Sequence, residues 1–411
     1  MMIAIVGGGI CGLSLALNLH ARGIACRVYE VAPELKELGV GITLLPHAMR
    51  EFTALGLGDE LLAAGIENAE SCFFNRFGQL IYKESRGKAA GYQTPEVGIH
   101  RGTLHRALYR AVQERIGPDC VVTNRLCAGV EQNEDGAHLQ FKETTTGHAL
   151  PPVAADIVIA CDGVNSALRK QLVGDSVVFT GINTWRGVTK RKPILTGRSY
   201  MRVGSIFTGK IVIYPVADDI DGAGNQLINW TTEIKRDTVE MNDWNKPGDL
   251  ADFISVYESW RFDWLDVAEL IRKSEFILEY PMVDKDPLER WTFGRVTLAG
   301  DAAHPMYPRG GNGAGQGILD ARALARCLRT ASDAATAFKA YEAERLAAAN
   351  KVVLMNRTAP PDTILKVVHE RSGGRPFRHI DDIVSQEELA AITDGYKVVA
   401  GFDRASLGAK S

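Results

Sequence analysis

The sequence predicts an α/β fold: a Rossmann-like domain of three layers, a mixed β-sheet domain inserted into it, and helices at the C-terminal end. Three observations predict it. Residues 3–30 read as strand, glycine turn, helix and strand. Two further buried-looking strands, "DIVIACDG" and "GRVTLAGD", lie far apart in the chain and each ends at a glycine beside an aspartate. Between them, from about 180 to 285, strands of period-2 alternation and clustered tryptophans replace the continuous apolar runs.

The elements follow in order. "IAIV" is the continuous apolar run expected of a parallel strand buried on both faces. Leu13, Ala16, Leu17 and His20 recur at helical spacing. "CRVYE" then returns as a second parallel strand, which makes a right-handed βαβ unit. Helical patterns cover 46–64 and Arg101 to Ile116. "CVVTN", "AGVEQNEDGAHLQFKE" and "DIVIACDG" read as strands, with a hairpin around Glu134–Gly136. "KIVIYPV" and "QLINWTTEI" alternate as a sheet with one buried face should. The tryptophans of this region stand at 185, 230, 244, 260 and 264. The chain re-enters the first domain at "GRVTLAGD" and continues into helices at 312–329 and 333–357. Pro360–Pro361 break the pattern, and a helical tail hinged at Gly373–Gly374 follows. The predicted division is 1–72, 98–180 and 286–357 for the first domain, 73–97 and 181–285 for the inserted one, and 358–411 for the tail.

Composition narrows the function classes. A chain of 411 residues suits two domains. The net charge of −3, from 47 basic and 50 acidic side chains, offers no basic excess for nucleic acid or an anionic membrane. Seven cysteines without a C-x-x-C pair read as reduced, buried thiols of a cytoplasmic protein, with no metal site. No apolar run reaches the roughly 18–20 residues of a membrane span. The apolar N-terminus lacks the basic segment of a signal peptide. A monomer or a homodimer is expected.

Gly7, Gly9 and Gly12 match G-x-G-x-x-G between the first strand and its helix. The first glycine permits the turn, the second lets backbone approach a pyrophosphate, and the third lets helix and strand pack closely. The helix N-terminus then offers N–H groups and positive dipole to the phosphates. Glu30, at the end of the second strand, is placed to accept bonds from ribose hydroxyls, which favours an adenosine without a 2′-phosphate. The loop alone does not choose between FAD and NAD.

Two other segments do. "DIVIACDGVNSALR" holds Asp162, Gly163, Ser166 and Arg169, and "RVTLAGDAAHPMYPRGGNGAGQGILDA" holds Gly300, Asp301 and a second run of glycines. With the N-terminal loop, they resemble the three motifs of the single-component (class A) flavin aromatic hydroxylases of the para-hydroxybenzoate hydroxylase family, over roughly residues 1–355. "TWRGVT", "YPMVDKDPLERW", "GNGAGQGILD" and "ANKVVLMNR" are similar to the subgroup that acts on 5-methylphenazine-1-carboxylate.

The resemblance implies a glutathione-reductase-type FAD-binding domain and a role for each motif. Gly7, Gly9, Gly12 and Glu30 would hold the ADP half of FAD. Arg101, in "HRGTL", would reach the pyrophosphate or ribityl chain as a charged donor, and Asp301 would accept from ribityl hydroxyls. Asp162 would serve both FAD and the reduced pyridine nucleotide; its bland reading is a turn-forming Asp-Gly. Arg169 is read as a surface ion-pair residue, and His304 as a backbone-positioning residue rather than a base.

The implied reaction takes NADH or NADPH, O₂ and an aromatic substrate, and passes through a flavin C4a-hydroperoxide that dry surroundings protect. Gly313, Ala314 and Gly315 open a helix whose N–H groups would stabilise negative charge on the reduced ring. Tyr214 and the pair Trp185–Arg186 are the candidates for contact with the substrate ring. Arg186 would anchor a carboxylate or touch the flavin, and Pro308 would offer a backbone carbonyl near the reacting carbon. Gly39 and Gly41 lie where backbone would let the flavin swing between two positions. The competing readings are a flavin enzyme of this fold that does not hydroxylate, and a non-catalytic nucleotide-binding module.

Overall fold

The computed structural model describes residues 1–35, 39–237 and 246–408. Trp244 lies outside them. The first sheet runs in the order Thr292–Phe293, Val296–Leu298, Ile157–Ala160, Ile3–Val6, Cys26–Tyr29, Val121–Val122. All its neighbours pair in parallel except the edge hairpin Thr292–Phe293. "IAIV" is buried throughout because it sits in the middle of this sheet. The helices Ile10–His20, Arg101–Arg115 and Gly313–Thr330 pack together as one layer. A small antiparallel sheet, Leu126–Gln132, Ala137–Lys142 and Val153–Ala155, forms the other layer, where Phe141 stacks on Tyr29. Its hairpin turns at Asn133, whose Oδ1 accepts from the amides of Asp135 and Gly136.

The second sheet has eight strands, ordered Lys246–Pro247, Ile277–Asp284, Val178–Arg191, Gln226–Lys235, Gly209–Ala217, Ser199–Ser205, Glu70–Phe74, Leu80–Ser85. It is mixed: Ser199–Ser205 and Glu70–Phe74 run parallel, and the other pairs antiparallel. Period-2 alternation sorts its faces. Trp185, Trp230, Ile211 and Ile213 point outward into a core with Phe253, Trp260, Leu270 and Ile271. Arg186 pairs with Thr231, Thr231 with Val212, and Val212 with Arg202, so these four lie in one row on the opposite face.

That opposite face meets the first domain and the tail. A three-stranded sheet, Gly41–Leu44, Val97–His100 and Ile66–Glu67, abuts it. The helix Thr363–Ser372 packs onto the same sheet through Phe73, Ile81, Ile364, Leu365 and Val368, with Val384 and Leu389 from beyond the hinge. Each aliphatic side chain buried there contributes about 1.5–3 kcal/mol of transfer free energy, so the tail is part of the folded body. Gly373 and Gly374 end that helix in the left-handed conformation, at φ +62° and +67°, as a C-terminal glycine stop requires. Among the described residues no helix is long and apolar enough to cross a membrane, and no cluster of His, Cys, Asp or Glu is arranged to hold a metal ion.

Candidate active site

The N-terminal glycines divide by what surrounds them. A Cβ on Gly12 would lie 2.0 Å from the Gly7 carbonyl oxygen, and one on Gly7, at φ +104°, would lie 2.3 Å from the Cys161 carbonyl oxygen. Both are packing glycines. Gly9 has no atom within 4 Å of such a Cβ, so the loop leaves open space at the position that should approach a phosphate. Gly9 caps the helix Ile10–His20 without a side-chain bond, which leaves the helix N-terminus to a ligand. The Glu30 carboxylate ties the loop down, accepting from the Gly8 amide at 2.6 Å and the Ala32 amide at 2.8 Å. His105 supports the loop from below, with Nε2 2.6 Å from the Gly8 carbonyl oxygen. Sequence reading missed His105, although it stands four residues after Arg101 and so shares a helix face with it.

The second glycine run faces the same cleft. The Cys11 thiol donates to the Gly317 carbonyl at 3.4 Å, and a Cβ on Gly300 would lie 3.0 Å from Cys11 Sγ. The two glycine segments, nearly three hundred residues apart, therefore pack side by side through Cys11. Asp301 is exposed to the cleft but ringed by protein; burial pushes its carboxyl up, and the His304 and Arg101 charges oppose that rise. Its Oδ1 lies 3.8 Å from where a Cβ on Gly313 would stand. Gly313, Ala314 and Gly315 begin an 18-residue helix with no side-chain cap at Asn312, and a Cβ on Gly315 would lie 2.5 Å from His47 Nε2. Pro308 is exposed on a short turn, its carbonyl accepting from the Gly311 amide at 3.1 Å.

Two buried networks hold this wall in place. Asp320 accepts from the Gly300 amide at 2.9 Å, from Arg345 Nε at 2.8 Å and lies 2.5 Å from His304 Nε2. These partners outweigh burial and hold its carboxyl down at about 2. His304 thus reaches the backbone only through Asp320, whose carboxylate holds the Gly300 amide. Arg169 departs from expectation: it is 0% exposed rather than a surface residue. It donates to the Ala302 and Ala303 carbonyls at 3.2 and 2.7 Å and to the Asp286 carbonyl at 3.1 Å, and pairs with Asp175 at 2.6 Å. Asp162 sits where the strand Ile157–Ala160 reaches the glycine loop. Its Oδ2 accepts weakly from the Leu168 amide at 3.5 Å, at the start of the helix Ala167–Val173, and its Oδ1 makes no hydrogen bond. Burial raises its carboxyl.

The third wall is the inner face of the second sheet. Arg186 reaches into the cleft with its guanidinium 5.1 Å from the Tyr280 ring centre, and its Nε is buried without a hydrogen bond. Burial lowers its pKa; Tyr280, Tyr214 and the Glu233 carboxylate oppose the shift, while Arg101 across the cleft adds to it. Arg101 lies on the other side against Gly39, 3.4 Å from a Cβ placed there. Tyr214 stacks on Tyr200 at 4.8 Å, and burial pushes its hydroxyl well up. Trp185 separates from Arg186: it is buried on the outer face, stacked on Phe253 at 4.9 Å. It is a core residue and does not face the cleft, because neighbours along a strand point to opposite sides. Gly41 marks the seam between walls, its amide donating to Asn229 Oδ1 at 2.7 Å.

These residues fit a dinucleotide carrying a reactive ring. One end offers an open glycine and an uncapped helix, the middle offers Asp301 and Arg101, and the far end offers a second uncapped helix beneath an aromatic face.

Comparison with known proteins agrees. The chain matches the family described as FAD binding domain over residues 1–210 and 276–356. It is 38% identical to the phenazine 1,6-dicarboxylic acid hydroxylase of Lysobacter antibioticus, over 97% of this chain and 96% of that one. It is 31% identical to a 3-amino-4-hydroxybenzoate 2-monooxygenase of Streptomyces platensis, over 99% and 98%. Among solved structures, Klebsiella pneumoniae HpxO complexed with FAD and uric acid shares the fold, with a TM-score of 0.75 at 22% identity over 99% of this chain and 96% of that one. The chain belongs to the FAD binding domain family and, within it, to the FAD-dependent aromatic hydroxylases.

Proposed function

We propose that the protein hydroxylates an aromatic or heteroaromatic carboxylic acid with NADH or NADPH and O₂. The observation that carries this reading is Arg186: a cation at the cleft, its Nε buried and unbonded, over the Tyr280 ring and within the field of Tyr214. A buried guanidinium nitrogen without a hydrogen bond is costly; a substrate carboxylate at the Tyr280 face would supply that bond. The relatives named above are hydroxylases of aromatic acids, which supports the same class.

FAD, when bound, supplies hydride acceptance and the activation of O₂. The chain's own residues do the rest. Gly7, Gly9, Gly12, Glu30 and Arg101 would grip its ADP half, and Asp301 its ribityl chain. The amides and dipole at Gly313, Ala314 and Gly315 would hold negative charge at the ring. Asp162 stands beside the glycine loop, where the resemblance would have it serve FAD and the reduced nucleotide. Arg186 would orient the substrate, Tyr214 would present a flat wall, Pro308 would face the ring's reacting edge, and the packed tail would keep water out.

The test is NADH and NADPH oxidation with O₂ uptake by the purified flavoprotein across a panel of aromatic acids, beginning with phenazine-1-carboxylate and phenazine 1,6-dicarboxylic acid. At least one acid should accelerate both and gain one oxygen atom by mass spectrometry. Flavin-containing protein that converts no acid, or yields only H₂O₂ with all of them, would sink the reading.

A further inference from the structure

The tail places a carboxylate against the inner face of the second sheet. Asp362, just after Pro360–Pro361, meets Arg202 Nε at 3.1 Å and also pairs with Lys210. Lys210 pairs in turn with Glu233 at 2.6 Å. The four side chains are 3–10% exposed, so the charges are matched in a dry place: two cations, two anions. Arg309, on the turn beside Pro308, adds its field to Asp362. Arg202 is further fixed by Ser71 Oγ at 2.9 Å and by the Tyr200 ring at 4.4 Å, and Tyr200 stacks on Tyr214.

Arg202 lies in the same row as Arg186, three strands away. At the usual strand spacing their Cα atoms stand roughly 14 Å apart. A fused-ring acid lying between them would direct one carboxylate at Arg186 and a second, on its far side, at Arg202. Arg202 and Lys210 would suit that second carboxylate, except that Asp362 already neutralises them. A substrate anion arriving there would meet a like charge in low dielectric, which costs heavily.

Resting on the aromatic-acid reading above, we propose that Asp362 is a specificity-determining residue. It makes the site prefer aromatic monocarboxylates and reject dicarboxylates. The tail therefore completes the substrate site from the far end of the chain.

The test measures binding by equilibrium dialysis and kcat/KM, for phenazine-1-carboxylate and phenazine 1,6-dicarboxylic acid. The wild-type flavoprotein should bind the monocarboxylate at least about tenfold more tightly. Asp362→Asn should close or invert that ratio, mainly through KM and Kd of the dicarboxylate. Adding Arg202→Gln to it should cancel the gain, which a merely structural role would not do. A wild type that binds the dicarboxylate as tightly as the monocarboxylate overturns the inference without any variant. So does a ratio unchanged in Asp362→Asn protein that retains its flavin. If neither acid binds the wild type, this inference is overturned, whereas the aromatic-acid reading falls only if no acid of the panel is converted.

Discussion

Gly41 and Asn229 join the two sheets: the Gly41 amide donates to Asn229 Oδ1 at 2.7 Å, and a Cβ on Gly41 would lie 2.7 Å from Asn229 Cβ and equally close to Val216 Cγ1. The seam has no room for a side chain. Gly41→Val should wedge the sheets apart and destabilise the protein by about 1–3 kcal/mol, the usual cost of overpacking. If flavin movement across this seam precedes reduction, the variant should also slow flavin reduction by NADH. Stopped-flow reduction at the wild-type rate would remove Gly41 from that movement.

Gly9 and Gly12 should fail differently. A methyl on Gly12 meets the Gly7 carbonyl at 2.0 Å, whereas one on Gly9 meets nothing within 4 Å. Gly12→Ala should lower the melting temperature of the flavin-free protein and lose the yellow colour. Gly9→Ala should leave that melting temperature unchanged and weaken only FAD binding, read from the flavin-to-protein absorbance ratio. Equal destabilisation by both would show that Gly9 is a packing glycine too.

Arg169 should be expensive to remove. Its guanidinium serves three backbone carbonyls and Asp175 with no exposure of its own. Arg169→Ala should cost about 3 kcal/mol in urea unfolding, since it orphans buried acceptors and an acid together. A surface ion pair would cost at most about 1 kcal/mol, so a loss that small would contradict the buried role.

What the sequence revealed about this site follows from range. Gly7 and Gly12 act on each other within one turn, so their pattern was legible along the chain. The adjacency of the first two parallel strands follows from the βαβ unit, and the two later apolar runs were legible as strands but not by their place in the sheet. Arg169 reaches Ala303 across 134 residues and Lys210 reaches Asp362 across 152, and no local pattern announces such bonds. The same limit hid Asp320, His105 and the docking of the tail. Trp185 and Arg186 show a subtler case. Period-2 alternation says that the two point to opposite sides, but only the core formed with Phe253 tells which side is which.

His47 gives the fold a pH signature. It is fully buried against Phe402 of the tail, 5.5 Å between ring centres. Burial lowers its pKa from 6.5 to about 3, with Asn312 opposing the shift and the Arg345 and Arg50 charges adding to it. Between those values the unfolded chain binds a proton that the folded protein refuses, so folding stability rises with pH there. The contribution is intact above about pH 6.5 and is lost as pH falls towards 3, at about 1.4 kcal/mol per unit. Urea unfolding at pH 7.5 and 5.5 should show wild type losing about 1.4 kcal/mol more than His47→Gln over that interval. Comparing slopes rather than absolute stabilities removes the variant's own packing cost. Parallel slopes for the two proteins would mean that His47 takes up its proton without leaving its place beneath the glycine helix.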